Sequence, residues 1–362
     1  RKLDTIWYNV DTMTTKYTRR EFLKLGSLAL GSLAFRPFFP NWDEVESSDT
    51  VRVATTSVSV YSRPDDTSRI VHTRYRDELL HVYYPVVSEF GPGYNPLWYR
   101  VWGGYIHSAR LQQVKTRLNS VLAKAPEKPR LAQITVPFTR AMHLNPVRKT
   151  WEPVYRLYYD STHWIVGIEE GPDGEPWYKL QDELFDTLYH YHVPAVHVRP
   201  IEDEELAPIS PDVPPEKKRI EVSIAMQTLK AYEGDNLVFE TRISSGMPDS
   251  RPNPPGGIPT DTPRGTFNVQ SKMPSKHMGD GGVTSDLEAY ELPGVPWTCF
   301  FEPKTGVATH GTYWHRNYGM TMSHGCVNMT PEESMWIFRW TTPVAAPDKI
   351  ETIGMGTRVI VS

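Results

Sequence analysis

The chain has 362 residues, a formal net charge of -4, 39 % hydrophobic and 12 % aromatic residues, 32 prolines and two cysteines. That length predicts two or three domains, and the small net charge leaves no electrostatic footprint for nucleic acid. Two cysteines are too few for a disulfide-stapled extracellular scaffold, so the core must stabilise itself, and aromatics with prolines predict a mainly β protein with many turns.

The N-terminal segment reads as an address. Thr18-Arg19-Arg20-Glu21-Phe22-Leu23-Lys24 precedes the apolar run Leu25 to Phe35. Paired arginines before a short hydrophobic core resemble a twin-arginine export signal, with Ser32-Leu33-Ala34 as a small-x-small cleavage site. The run is shorter than the ~20 apolar residues that span a bilayer, so membrane contact is expected only through the signal. The expected location is the cell wall, periplasm or extracellular face. Residues 1–45 are set apart from the fold on this reading, those before Met13 as upstream sequence.

From residue 50 to 110 the chain reads as short strands: Val51-Arg52-Val53, Ser57-Val58-Ser59-Val60-Tyr61, Leu79-Leu80-His81-Val82-Tyr83-Tyr84 and Trp98-Tyr99-Arg100-Val101 before Gly103-Gly104-Tyr105-Ile106. The tryptophan strand, glycine turn and final aromatic strand resemble a bacterial SH3-like module. Leu111 to Ala125 reads as a short helix or linker. Residues 130–203 carry an echo, with Trp177-Tyr178-Lys179-Leu180 and Val193-Pro194-Ala195-Val196-His197-Val198, and are expected to form a second, divergent SH3-like barrel. Either module could bind cell wall or act as a spacer. Pro208, Pro211, Pro214 and Pro215 then mark residues 204–217 as a semi-rigid linker.

Residues 218–362 hold the chemistry. Ile220–Ile224 and Thr228–Tyr232 read as strands, and Glu233-Gly234-Asp235-Asn236 as a hairpin turn before Leu237–Glu240. Ser244-Ser245-Gly246, a Pro/Gly loop and Thr262-Pro263-Arg264-Gly265-Thr266-Phe267 follow. Ser271 to Pro296 is expected to be a long loop, and Trp297–Phe301 a core strand that makes Cys299 structural. Thr330 is positioned as the N-cap of a helix over 331–340 with Pro331 first, and Thr357–Val361 is a closing strand.

Between these lie His310-Gly311-Thr312 and Ser323-His324-Gly325-Cys326-Val327-Asn328. A thiol with a free pKa of about 8.5 is a strong nucleophile only as the thiolate. An imidazole can take its proton, and glycine beside it lets a substrate carbonyl approach the backbone. That points to acyl transfer through a thioester. A Cys299–Cys326 disulfide would silence this chemistry. Zinc on His310, His315, His324 and Cys326 would occupy the nucleophile, and their spacing matches no zinc pattern. His277 and His315 read as loop or rim residues.

The Ser-x-Gly strand end, the Thr-Pro-x-Gly-x-Phe turn and the two histidine blocks, in that order, resemble the L,D-transpeptidase family with its YkuD-type catalytic domain. The resemblance implies a β-sandwich with the cysteine at the floor of a cleft beneath a flap. It makes Cys326 the nucleophile and His310 its base, oriented by a backbone carbonyl near Gly311, with N–H groups at Gly325 and Cys326 holding the oxyanion. Ser323, His324, Asn328, Tyr313 and Tyr318, with Tyr290 and Trp314, would shape the substrate cleft. Many relatives have arginine in place of Asn328. The implied partners are peptidoglycan stem peptides, with no metal or organic cofactor and no obligate protein partner. The implied reaction is 3-3 cross-linking, with carboxypeptidase or exchange activity, and protein-to-wall attachment, as alternatives at the same site. A papain-like endopeptidase is disfavoured because its cysteine usually precedes its histidine. A non-catalytic wall-binding protein is the reading of another class.

Overall fold

The computed structural model describes residues 49–184, 187–248 and 260–362; the export-signal segment and most of the Pro/Gly loop lie outside the described residues. The first lobe comprises β1 (Thr50–Val53), β2 (Ser57–Tyr61), β3 (Ile70–Tyr75), β4 (Leu79–His81), β5 (Tyr84–Val87), β6 (Leu97–Val101), β7 (Gly104–His107) and β8 (Leu111–Gln113). They form a sheet β4-β1-β8 and a sheet β3-β2-β7-β6-β5 around Val51, Val53, Val60, Tyr99, Val101 and Ile106. The expected single run Leu79–Tyr84 is two strands, because the chain changes sheets there. Val82 N–H bonds to Asp49 and Tyr83 N–H to Arg100. The stretch after Gln113 has no helix. It runs extended, its N–H groups at Arg117 and Asn119 bonded to Thr135 and Val196 of the next lobe.

The second lobe holds β9 (Arg130–Ile134), β10 (Phe138–Asn145), β11 (Thr150–Tyr158), β12 (Thr162–Glu170), β13 (Pro176–Leu184), β14 (Thr187–Pro194) and β15 (Val198–Pro200). These strands form one seven-stranded sheet, β11-β10-β14-β13-β12-β9-β15, wrapped around Ile134, Leu157, Ile165, Tyr178, Leu180 and Tyr191.

The C-terminal part is a sandwich. One sheet has the order β18-β17-β16-β25-β19, from β16 (Lys218–Ser223), β17 (Thr228–Glu233), β18 (Asn236–Arg242), β19 (Gly265–Asn268) and β25 (Arg358–Val361). The other has the order β23-β22-β21-β20-β24, from β20 (Ser271–Gly279), β21 (Glu291–Glu302), β22 (Val307–Gly311), β23 (Val327–Met329) and β24 (Thr352–Ile353). Ile220, Val222, Leu229, Ala231, Val359 and Val361 of the first sheet pack against Trp297, Cys299, Phe301, Val307, Val327 and Met329 of the second. Their alternation along each strand is what directs them to one inner face. Leu131, Trp164 and Ile201 of the second lobe join this same core. The expected loop Ser271–Pro296 is mostly a long β20–β21 hairpin, and only Asp280–Tyr290 is loop.

Helix α1 (Pro331–Trp340) packs beneath β21 and β22. Thr330 caps it in a reciprocal box: its hydroxyl accepts from Glu333 N–H at 3.2 Å, and Glu333 accepts from Thr330 N–H at 3.1 Å. At the other end two lysines answer the negative pole of the helix. Lys272 Nζ donates to the Phe338 and Thr341 carbonyls, and Lys218 Nζ to Trp340 at 3.0 Å. Burial pulls Lys272 down to about 8. The proline-rich 204–217 segment is docked on this helix: Ile209 N–H bonds to Arg339 O at 3.1 Å, and Arg339 Nε to Ala207 O at 2.8 Å.

Candidate active site

The parallel β22–β23 pair sets Thr309 against Val327 and His310 against Asn328. Cys326 immediately precedes β23, so it falls opposite Ala308, on the same face as His310. Adjacent strands lie about 4.8 Å apart and two residues rise about 6.6 Å, placing the two Cα atoms roughly 8 Å apart, within joint reach of a thiol and an imidazole.

His310 is buried, and its Nδ1 lies 2.9 Å from the Gly311 carbonyl oxygen. A carbonyl only accepts, so Nδ1 carries the ring proton and Nε2 presents a lone pair. Burial lowers its pKa to about 4, against the raising effect of that carbonyl. Burial pushes the Cys326 thiol up to about 11, a backbone hydrogen bond at Ala308 opposing it. At neutral pH the pair is therefore thiol and neutral imidazole, and the thiol rests against the Gly306 carbonyl at 3.7 Å. Cys299 and Cys326 are both free thiols; Cys299 is fully buried in the core, its Sγ 3.8 Å from Thr341 Oγ1.

The Gly325–Cys326 loop is fixed from behind. Gly325 has φ +113°, a conformation that L side chains rarely adopt. Gly246 packs so closely that a Cβ there would come within 2.8 Å of Gly325 Cα and 2.3 Å of the Thr260 carbonyl. Buried Thr262 bridges the two glycines: its hydroxyl accepts from Gly246 N–H at 2.8 Å and donates to Gly325 O at 2.7 Å. The Ser323 hydroxyl donates to the Cys326 carbonyl and closes the turn. This explains why the Ser-x-Gly and Thr-Pro segments accompany the cysteine block in sequence.

The remaining expected site residues divide. His324 is exposed at the rim, its ring edge-on to Tyr290, 5.5 Å between centroids. Tyr318 is partly buried, its hydroxyl 2.7 Å from Thr312 Oγ1 and its ring on His315. Tyr313, expected to contact substrate, is instead 2 % exposed. Its hydroxyl donates to Pro293 O at 2.9 Å and its ring packs on Tyr158 of the second lobe. Asn328, expected on the cleft surface, is 1 % exposed and lies 3.0 Å from His315 Nε2. His315, expected in a loop or at the rim, lies in a loop but is buried, its Nδ1 accepting from Asn317 N–H at 3.2 Å. His277 is likewise buried rather than peripheral, held between Asp182 at 2.7 Å and Glu291 at 2.8 Å. Among the described residues, no group of three His, Cys, Asp or Glu is placed to hold a metal ion.

Residues 217–361 match the family model of YkuD, the L,D-transpeptidase catalytic domain. This segment belongs to the YkuD family. The chain is similar over 142 residues to L,D-transpeptidase 1 of Mycobacterium tuberculosis, at 30 % identity, covering 36 % of this chain and 49 % of that protein. The chain thus spans about half the length of the curated relatives it matches. Among solved structures, the catalytic domain of the E. faecium L,D-transpeptidase is 27 % identical, with 41 % of this chain and 98 % of that one covered and a TM-score of 0.29. An L,D-transpeptidase from Mycobacterium smegmatis is 24 % identical, with 40 % and 58 % covered and a TM-score of 0.31.

Trp314, expected among the residues that shape the cleft, has its ring centroid 5.9 Å from that of His310. The sequence did not reveal Thr262 as the bridge between the glycines, because its partners lie elsewhere in the chain, where no local spacing announces them.

Proposed function

We propose that the chain is a peptidoglycan L,D-transpeptidase that works through a cysteine thioester. The observation that carries this reading is His310 with its Nδ1 proton tied to the Gly311 carbonyl, on one face with Cys326. Substrate entry turns Cys326 Sγ from Gly306 toward His310 Nε2, which takes the thiol proton as sulfur attacks the carbonyl of the third stem residue. The tetrahedral oxyanion is held by backbone N–H groups at the Gly325–Cys326 step, a contribution on the order of 3 kcal/mol per donor in acyl transfer. Collapse breaks the amide, and the imidazolium returns its proton to the departing amine of the terminal D-alanine. An amine of a neighbouring stem then attacks the thioester, giving a 3-3 cross-link and restoring the thiol.

The rim formed by Tyr290 and His324 gives the stem peptide a wall to lie against. Export by the twin-arginine route belongs to the same proposal and rests on Arg19-Arg20 before the apolar run. Incubation with tetrapeptide-bearing muropeptides, read by mass spectrometry, is expected to release D-alanine and form dimers, and to do neither with Cys326→Ala. D-alanine loss without dimers would identify water or a free amino acid as acceptor. Intact substrate across conditions would overturn the proposal.

A further inference from the structure

The segment between the two histidine blocks has no sheet pairing of its own, yet it carries Trp314 against His310. Part of its hold comes from the first lobe. Arg52 on β1 is 2 % exposed, with every arm of its guanidinium engaged. Nε and Nη2 donate to Gln112 Oε1 at 3.1 and 2.8 Å, Nη1 to Asp77 Oδ1 at 2.8 Å, and Nη2 also to the Tyr313 carbonyl at 2.9 Å. Its flat face lies 3.9 Å from the centre of the Tyr158 ring, and Arg156 takes the other Asp77 oxygen. Two further bonds follow along the same segment: Arg316 N–H donates to Ala109 O at 2.8 Å, and Asn95 Nδ2 to Arg316 O at 3.3 Å. On the catalytic side, Ser244 Oγ donates to Asn317 O at 2.9 Å.

We propose that the first lobe is a working part of the catalytic site, with Arg52 a positioning residue that holds the Tyr313 carbonyl and thereby keeps Trp314 seated over His310. The proposal rests on His310 being the base. A planar fork fixed by Asp77 and Gln112 aims a donor at one carbonyl with little freedom, which an ammonium on a flexible stem cannot do. Beyond Thr312, whose N–H still reaches Met329 O at 3.0 Å, no sheet ladder holds residues 313–317; if the carbonyl is released, water reaches the imidazole. The titratable groups beside it are Cys326, on the neighbouring strand, and His315, which senses the His310 charge; otherwise burial and the Gly311 carbonyl set the His310 environment.

The test uses the full chain with isotope-labelled histidine, His310 being assigned by its loss in His310→Gln. In the wild type the ring stays neutral until about pH 4. Arg52→Lys keeps the charge beside Asp77 but loses the fork. It is expected to raise the His310 midpoint by about one unit toward the hydrated value and to lower kcat about ten-fold with KM unchanged. Lys128→Ala, which removes only an exposed pair with Asp348, is the control and should move neither. A folded Arg52→Lys protein with an unmoved midpoint overturns the proposal. If Arg52→Lys does not fold, Asn95→Ala removes a different bond to the same segment, and an unmoved midpoint there overturns it equally. The midpoint needs no substrate. A shifted midpoint in a chain inactive on muropeptides would keep Arg52 as the residue that seats Trp314 over His310 and remove the catalytic reading with the proposed function; active enzyme with an unshifted midpoint would keep the function and overturn the role of Arg52.

Discussion

Thr262→Val is nearly isosteric, so it removes the hydroxyl and leaves the packing. Both hydrogen bonds of that hydroxyl, 2.8 Å from Gly246 N–H and 2.7 Å to Gly325 O, are buried. The change leaves one donor and one acceptor without a partner in a space already closed by Gly246 and Gly325. An orphaned buried polar group costs about 1–3 kcal/mol, the carbonyl at the lower end, so the sum is about 2–4 kcal/mol. The loss falls on the backbone that carries the thiol, and misplacement by about 1 Å can cost about 100-fold in rate. Urea unfolding monitored by tryptophan fluorescence, beside D-alanine release from a muropeptide tetrapeptide, measures both. A destabilisation below about 1 kcal/mol with unchanged turnover would refute the claim that this bridge positions Cys326.

Two further outcomes are expected. With the thiol at about 11, alkylation of Cys326 by iodoacetamide, followed by intact mass, should rise about 1,000-fold from pH 7 to pH 10. A plateau reached below pH 8 would mean a preformed thiolate, and buried Cys299 should stay unlabelled. His277 presents the opposite sign: burial disfavours its charge, but hydrogen bonds and attraction from Asp182 and Glu291 outweigh this and raise its pKa. A raised folded value gives stability that is complete below the unfolded value of about 6.5 and lost as pH climbs through the higher folded value. Thermal midpoints should therefore fall on the alkaline side of the histidine range in the wild type and flatten in His277→Gln, and an equal slope in both would discount the cluster.

What could be read from the sequence was local. The Thr330 cap and the Gly234 turn each depend on residues a few positions apart, and each is found where the sequence places it. The sandwich strands β16, β17 and β25 were legible because one face is buried and the other is not. β20 was read as loop for a physical reason. The second lobe covers its outer face, with Thr162 Oγ1 on Pro274 O and Ser275 Oγ on Thr162 O, so both faces are buried and the alternation vanishes. Asn328, Tyr313, His315 and His277 were assigned to surfaces because histidine, asparagine and tyrosine usually end there. Their burial is decided by partners such as Arg52 and Asp182, 261 and 95 residues away. The stretch after Gln113 reads as helix or linker until the lobes that supply its hydrogen-bond partners are in place.

Leu131, Trp164 and Ile201 of the second lobe sit in the same apolar cluster as the strands of the YkuD sandwich. A catalytic unit whose interior is completed by its neighbour has lost its portability. Cut free at residue 217, it would present bare hydrocarbon where Trp164 and Ile201 had been, a face that invites self-association. For recombination between genes, the smallest heritable piece that stays soluble is then the sandwich together with the sheet that roofs it, and the proline-rich stretch between them is a strap rather than a seam.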